Sequence, residues 1–246
     1  MDRKYWEEVA VKHEEKIFDV FGNDSSQVIV SCINHYASPA KTVVDIGCAV
    51  GRWLPLLSAG FKKVYAVDIS ALYIQKAKEN HKALKNIQYL RQDISKSKEG
   101  IPACDLALCI NTMLTPDRKE RDAAFKNTAK VIKRKGHLIL VVPALESAMF
   151  SQFIFNHWNT RTGNFDPVKS EKIGDATDIF EGVVKLDTTP TKHHSKEELQ
   201  FILNHYGFEM EHITKVEYSW NTEFSEPPEW LKNPRPFDWL VVARKR

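Results

Sequence analysis

The chain has 246 residues, of which 43% are hydrophobic and 27% charged, and its formal net charge is +3. This is globular composition at a length suited to one large α/β domain or two small ones, and it is not that of a disordered tail. A net charge this small disfavours a dedicated nucleic-acid binder. No run approaches the ~18 apolar residues needed to span a membrane, so no membrane partner is expected.

The N-terminal stretch carries Asp2, Arg3, Lys4, Glu7 and Glu8 without a long apolar core, which is not the pattern of a signal peptide. A cytoplasmic location is the expectation. Cys32, Cys48, Cys104 and Cys109 form no Cys-x-x-Cys pair, and the last three sit in apolar, strand-like segments. Reduced, structural thiols fit that pattern better than disulfides or a zinc site, and no metal is expected.

In chain order, Trp6, Ala10, His13, Ile17 and Phe21 recur at spacings of three and four, predicting one amphipathic helix. Asp24 or Ser25 is placed to cap a second, with Ile29, Ile33 and Tyr36 facing inward and Pro39 ending it. Residues 1–38 thus read as N-terminal helices. From Thr42 the texture changes. Residues 43–47, 64–67, 87–90, 106–110 and 138–142 are short, branched and apolar, as strands are. Residues 71–84 and 118–133 lie between them with helical length. Strands alternating with helices give a parallel, doubly wound sheet.

Residues 144–192 interrupt this rhythm at far more than usual loop length, so they read as an inserted unit. Leu145, Met149, Phe153 and Asn156 predict a helix reaching Trp158, and residues 180–186 a strand. Ser195 and Glu198 then form a capping box, and Gly207 closes the helix they open. Residues 208–220 and 237–243 read as an antiparallel pair. The prediction is a single α/β domain over 1–246, with a mostly parallel seven-stranded sheet ending in an antiparallel hairpin.

The chemistry gathers at Val43-Val44-Asp45-Ile46-Gly47-Cys48-Ala49-Val50-Gly51-Arg52, a strand followed by a small-residue turn and a helix start. Small residues let the backbone approach a ligand, and open parallel sheets bind ligands beyond the carboxyl ends of their strands. Asp68 and Asp93 end the next two strands on the same edge. Dinucleotide binding would want a third glycine, and a phosphate loop a Gly-Lys-Ser/Thr ending; neither is present.

At these residues the sequence resembles the class I S-adenosylmethionine-dependent methyltransferases. The resemblance implies S-adenosyl-L-methionine as cofactor, with Asp45, Gly47, Cys48, Ala49 and Gly51 forming the first motif. It implies Asp68 on the ribose followed by Ile69, Asp93 beside the adenine with Ile94 packed on the ring, and Asn111 and Thr112 facing the methionine part. Ala49 stands where many members have glycine, and a methyl group is accommodated there if φ is negative. The doubly wound sheet with its antiparallel hairpin is this family's Rossmann-like fold.

Methyl transfer from a sulfonium is an in-line displacement, so positioning is the protein's main task. A proton-bearing nucleophile also needs a base near neutrality, which favours histidine. His157, His193 and His194 are the candidates able to reach an acceptor. The insert, with Phe150, Phe153, Phe155, Trp158 and Phe165, reads as an apolar substrate lid, which suits a small-molecule acceptor. No Asp/Asn-Pro-Pro-Tyr/Phe run, Pro-Cys nucleophile or glutamate pair of the nucleic-acid and arginine methyltransferases is found. A protein or RNA methyltransferase, or a non-catalytic binding subunit, is the alternative.

Overall fold

The computed structural model describes residues 1–11, 18–162, 176–186, 189–224 and 226–246. Seven strands form one sheet: β1 (Ser38–Ile46), β2 (Phe61–Asp68), β3 (Ile87–Arg91), β4 (Cys104–Ile110), β5 (Ile132–Pro143), β8 (Phe208–Glu217) and β9 (Phe237–Lys245). Their order is β3-β2-β1-β4-β5-β9-β8. The first five run parallel, while β9 is antiparallel to both β5 and β8. The directions are those expected from alternating apolar runs, helical crossovers and a terminal hairpin.

Alternation along each strand divides the core between the two faces. Val44, Ile46, Ala107, Leu138, Leu140 and Val142 face α6 (Arg118–Lys130) and α9 (Lys196–His205), which contribute Phe125, Leu199 and Leu203. Val43, Val64, Leu106, Leu108, Ile139 and Val141 face α3 (Val28–Tyr36), α4 (Leu54–Gly60) and α5 (Ala71–Asn80), which contribute Ile33, Leu57 and Ile74. Ser70, Asp117 and Ser195 cap α5, α6 and α9, each accepting from a backbone N–H of the first turn.

The N-terminal helix is shorter than its stripe suggests. Trp6 and Ala10 lie on α1 (Arg3–Val11), but Phe21 belongs to α2 (Val20–Asn23), a separate turn capped by Asp19; His13 and Ile17 lie outside the described residues. Asp24 holds the start of α3, accepting from Val28 N and Ile29 N at 2.9 Å each.

The insert contains α7 (Leu145–Thr162), α8 (Ala176–Phe180) and a separate hairpin of β6 (Val183–Leu186) and β7 (Thr189–Lys192). The strand expected from Phe180 therefore begins later, because Phe180 ends a helix. The two ends of the insert meet: Ala144 pairs with His194, Leu145 N donates to His194 O at 3.0 Å and His194 N to Pro143 O at 2.8 Å. No described helix is long and apolar enough to cross a membrane.

Candidate cofactor and acceptor site

The carboxyl edge of the parallel strands opens on a cavity of about 1490 Å³. At its floor the chain turns sharply after β1. Gly47 N and Cys48 N both donate to Val67 O, at 2.8 and 3.0 Å, tying the turn to the end of β2. Gly47 has φ +78°, and a Cβ there would run into the Thr112 side chain, whose Oγ1 donates to Ile46 O at 2.8 Å. Only glycine fits that position.

Ala49 departs from the expectation of a negative φ: its φ is +46°, in the left-handed region. The strain is held by Asp68, whose Oδ2 accepts from Ala49 N at 2.9 Å while Oδ1 accepts from Ser70 N at 2.9 Å. One side chain thus braces both the glycine turn and the start of α5.

Asp45 is 2% exposed and its Oδ2 has no hydrogen-bond partner among the described residues. Burial, and then the neighbouring Asp68 carboxylate, push Asp45 up to about 7. Burial pushes Asp68 up to about 6 against the hydrogen bonds that favour its charge. Two adjacent buried carboxylates are costly unless positive charge or hydrogen-bond donors meet them.

Asp45, Gly47, Cys48, Ala49, Asp68, Ile69, Asp93, Ile94, Asn111 and Thr112 all line the cavity. Gly51 does not; its φ is +87°, and the space a Cβ would take is filled by Leu54 and His81, so it shapes the turn from beneath. Asp93 is turned partly to its own loop, accepting from Ser95 N at 2.9 Å and Ser95 Oγ at 2.6 Å.

The three histidines separate. His157 is exposed on α7, its ring stacked on Phe153, and does not line the cavity. His194 is fully buried where the insert closes, with Nε2 against Met113 O at 3.2 Å and Nδ1, which has no hydrogen bond among the described residues, 3.7 Å from Glu198 Oε2. His193 alone lines the cavity, with Nδ1 3.1 Å from Thr191 O. Burial pushes His193 down to about 4, so its ring is neutral at physiological pH and takes a proton poorly.

The insert borders the cavity through Ala144, Ser147, Ala148, Thr189 and Thr191, not through its aromatics. Phe150, Phe155 and Trp158 pack instead on Trp220 and Phe224, around the 3₁₀ turn Trp220–Thr222, and Phe153 is 62% exposed. Phe165 lies outside the described residues. The aromatic wall comes from elsewhere: Tyr5 and Trp6 on α1, Phe18, Trp53, Tyr218 and Phe237. Glu7 holds α1 in place, accepting from Ser70 Oγ at 2.7 Å and Ala71 N at 2.8 Å.

Sequence reasoning missed Tyr218 and Asp238. The signal for Asp238 was present, since it is the one acid in the otherwise apolar start of a strand, Phe237-Asp238-Trp239-Leu240-Val241-Val242. Asp238 is 8% exposed and lines the cavity, as Tyr218 does.

A parallel sheet in this order, its first turn braced by the acid after β2, defines a nucleoside-binding fold of the methyltransferase type. Residues 43–136 match the family model described as "Methyltransferase domain", in agreement with the resemblance to the class I S-adenosylmethionine-dependent methyltransferases. S-adenosylmethionine is that family's cofactor. Among curated proteins, the mRNA cap guanine-N(7) methyltransferase of Saccharomyces cerevisiae is 25% identical over 141 residues, which are 50% of this chain and 32% of that enzyme. The chain thus spans about a third of the length of that relative.

Among solved structures, a methyltransferase from Methanosarcina mazei superposes with a TM-score of 0.60 at 20% identity, covering 87% of this chain and 96% of its own. Magnesium protoporphyrin IX methyltransferase from Synechocystis, solved with S-adenosylhomocysteine, gives 0.61 at 16% identity over 99% and 97%. The N-methyltransferase NodS of Bradyrhizobium japonicum, with the same ligand, gives 0.57 at 14% over 90% and 85%. At these identities the likeness is one of fold.

Proposed function

We propose that the chain transfers the methyl group of S-adenosylmethionine to a small, partly apolar acceptor held in the same cavity. The observation that carries this is the cavity itself. At about 1490 Å³ it joins the glycine turn to the aromatic wall of Tyr5, Trp6, Phe18 and Tyr218. A single-ligand pocket is typically ~300–1,000 Å³, so there is room for two ligands side by side.

In this reading Asp68 meets the ribose hydroxyls, and Asp45 offers its unpartnered oxygen to the cofactor's positive charge. Asp93 and Ile94 border the adenine, while Asn111 and Thr112 border the methionine part. Gly47, Cys48 and Ala49 bring the backbone close, with Ile69 beside them. The bound cofactor supplies an activated methyl group on a good leaving group. The protein's contribution is alignment and exclusion of water, to which α1, clamped by Glu7, and the insert contribute.

The test is calorimetry with S-adenosylhomocysteine, followed by transfer from labelled cofactor to a panel of amines, phenols, carboxylic acids and a capped RNA oligonucleotide. Binding together with turnover on a small acceptor is expected. Absence of binding overturns the cofactor assignment, and turnover confined to the RNA overturns the small acceptor. The RNA is included because the yeast relative named above is a cap methyltransferase, which is also the alternative reading here.

A further inference from the structure

The end of the cavity away from the glycine turn is built from the last strands of the sheet. Because β9 runs antiparallel to β5, its first residues lie at the carboxyl edge, and Asp238 stands opposite Pro143. The last residues of β8 return to the same edge, bringing Tyr218 beside it. Asp238 Oδ2 accepts from Tyr218 Oη at 2.9 Å and from Asn111 Nδ2 at 3.4 Å, across the top of β5. Both donors are neutral. Oδ1 has no donor among the described residues, and none of the ion pairs there includes Asp238.

Asn111 adds a second unmet acceptor. It sits at φ +47° after β4, and its Nδ2 faces the Asp238 carboxylate, which fixes the amide's orientation. Its Oδ1 is then buried without a partner among the described residues. Two oxygens of this wall, Asp238 Oδ1 and Asn111 Oδ1, are therefore acceptors without a donor among the described residues. A carboxylate ligand brings no donor and a like charge, and a hydroxyl brings one donor. An ammonium brings several donors and the missing positive charge. The Tyr218 ring, with Phe18 packed edge-on at 4.8 Å, supplies an aromatic flank suited to a cation.

We propose that the acceptor is an amine, bound as its ammonium on Asp238 Oδ1 and deprotonated by it. This rests on the cofactor reading above. The ammonium gives one proton to Oδ1, and the freed lone pair forms the new C–N bond. The C–S bond breaks as it forms, its electron pair staying on sulfur. The product leaves as an N-methylammonium, and the proton on Asp238 passes to solvent.

Burial pushes Asp238 up to about 6, so it is charged at neutral pH yet nearer neutrality than an ordinary carboxylate. The titratable groups around it are Tyr218, kept protonated by burial and by Asp238 itself, Glu223, whose charge raises Asp238, and Asp24, which acts on Tyr218. None of these supplies a positive charge.

The experiment uses protein saturated with S-adenosylhomocysteine and three probes of one shape: 2-phenylethylamine, 2-phenylethanol and phenylacetate. Calorimetry should show the amine binding about tenfold tighter than the alcohol, with phenylacetate weakest. The amine's advantage should shrink as pH falls through about 6, where Asp238 takes a proton. Asp238→Asn should remove the amine's advantage over the alcohol. An amine that binds no better than the alcohol, or does not bind at all, overturns the proposal. That comparison needs only the wild-type protein, so it stands even if the variant fails to fold. Failure of S-adenosylhomocysteine to bind would instead overturn the cofactor reading.

Discussion

Lowering the pH from about 8 to about 6 should weaken S-adenosylhomocysteine binding roughly 10- to 20-fold. The perturbation acts on Asp45 and Asp68, held at about 7 and about 6 in the free protein. A ligand ammonium facing Asp45 favours its ionised form, so binding below pH 7 must expel a proton. For a group at about 7, that factor is about tenfold between the two pH values, close to 1.4 kcal/mol. Asp68 adds about twofold, because it is only half protonated at about pH 6. The sign is fixed: raised acids lose affinity for a cation as pH falls. Titration calorimetry in two buffers of different ionisation heat measures both the affinity and the proton released. Asp45→Asn should flatten the profile. An affinity that stays level down to about pH 5.5 would falsify the placing of Asp45 against the cofactor's charge.

Asp68→Ala should weaken S-adenosylhomocysteine binding about tenfold to a hundredfold, since it removes charge-assisted bonds and unties Ala49 N and Ser70 N; equal affinity by calorimetry would count against it. Ala49→Gly should stabilise the fold by about 0.5–1 kcal/mol, the left-handed strain of alanine less the extra freedom of glycine in the unfolded chain. A melting temperature higher by about 2 °C is the readout, and a lower one refutes the strain argument. His157→Ala should leave turnover within about twofold, and His193→Ala should lower it less than about tenfold, short of the ~10²–10⁴ loss of a true base. A larger loss at His193 with cofactor affinity intact would return that histidine to the proton-transfer role.

The parallel half of the sheet was legible because its signals are local. Branched apolar runs, the small-residue turn after β1 and acids at strand ends need no knowledge of what packs where. The cavity lining between Asp45 and Thr112 was readable for the same reason. What failed depends on tertiary contact. Ala49 takes a positive φ because Asp68 and the end of β2 hold the turn there, which composition does not reveal. His193 and His194 read as accessible beside a capping box, yet they lie in the seam on which the insert closes, His193 N donating to Gly182 O and His194 N to Pro143 O. The insert's aromatics have the composition of a lid, but their partners lie about seventy residues away: Trp220, expected to end a strand that in fact stops at Glu217, and Phe224 in the loop beyond it. Asp238 was visible as an anomaly in an apolar strand, but its meaning required knowing that β9 runs backwards.

The place of β9 between β5 and β8 also sets an order of assembly. The residues proposed to border the cofactor are all encoded by residue 112, whereas Tyr218 and Asp238 are made about a hundred residues later. During synthesis the first five strands can pair while β5, with Leu138–Val142 already in place, remains an open apolar edge of the kind that invites wrong partners. The strand that shields this edge is the same one that carries Asp238. Protection from misassembly and completion of the acceptor wall are therefore a single folding event.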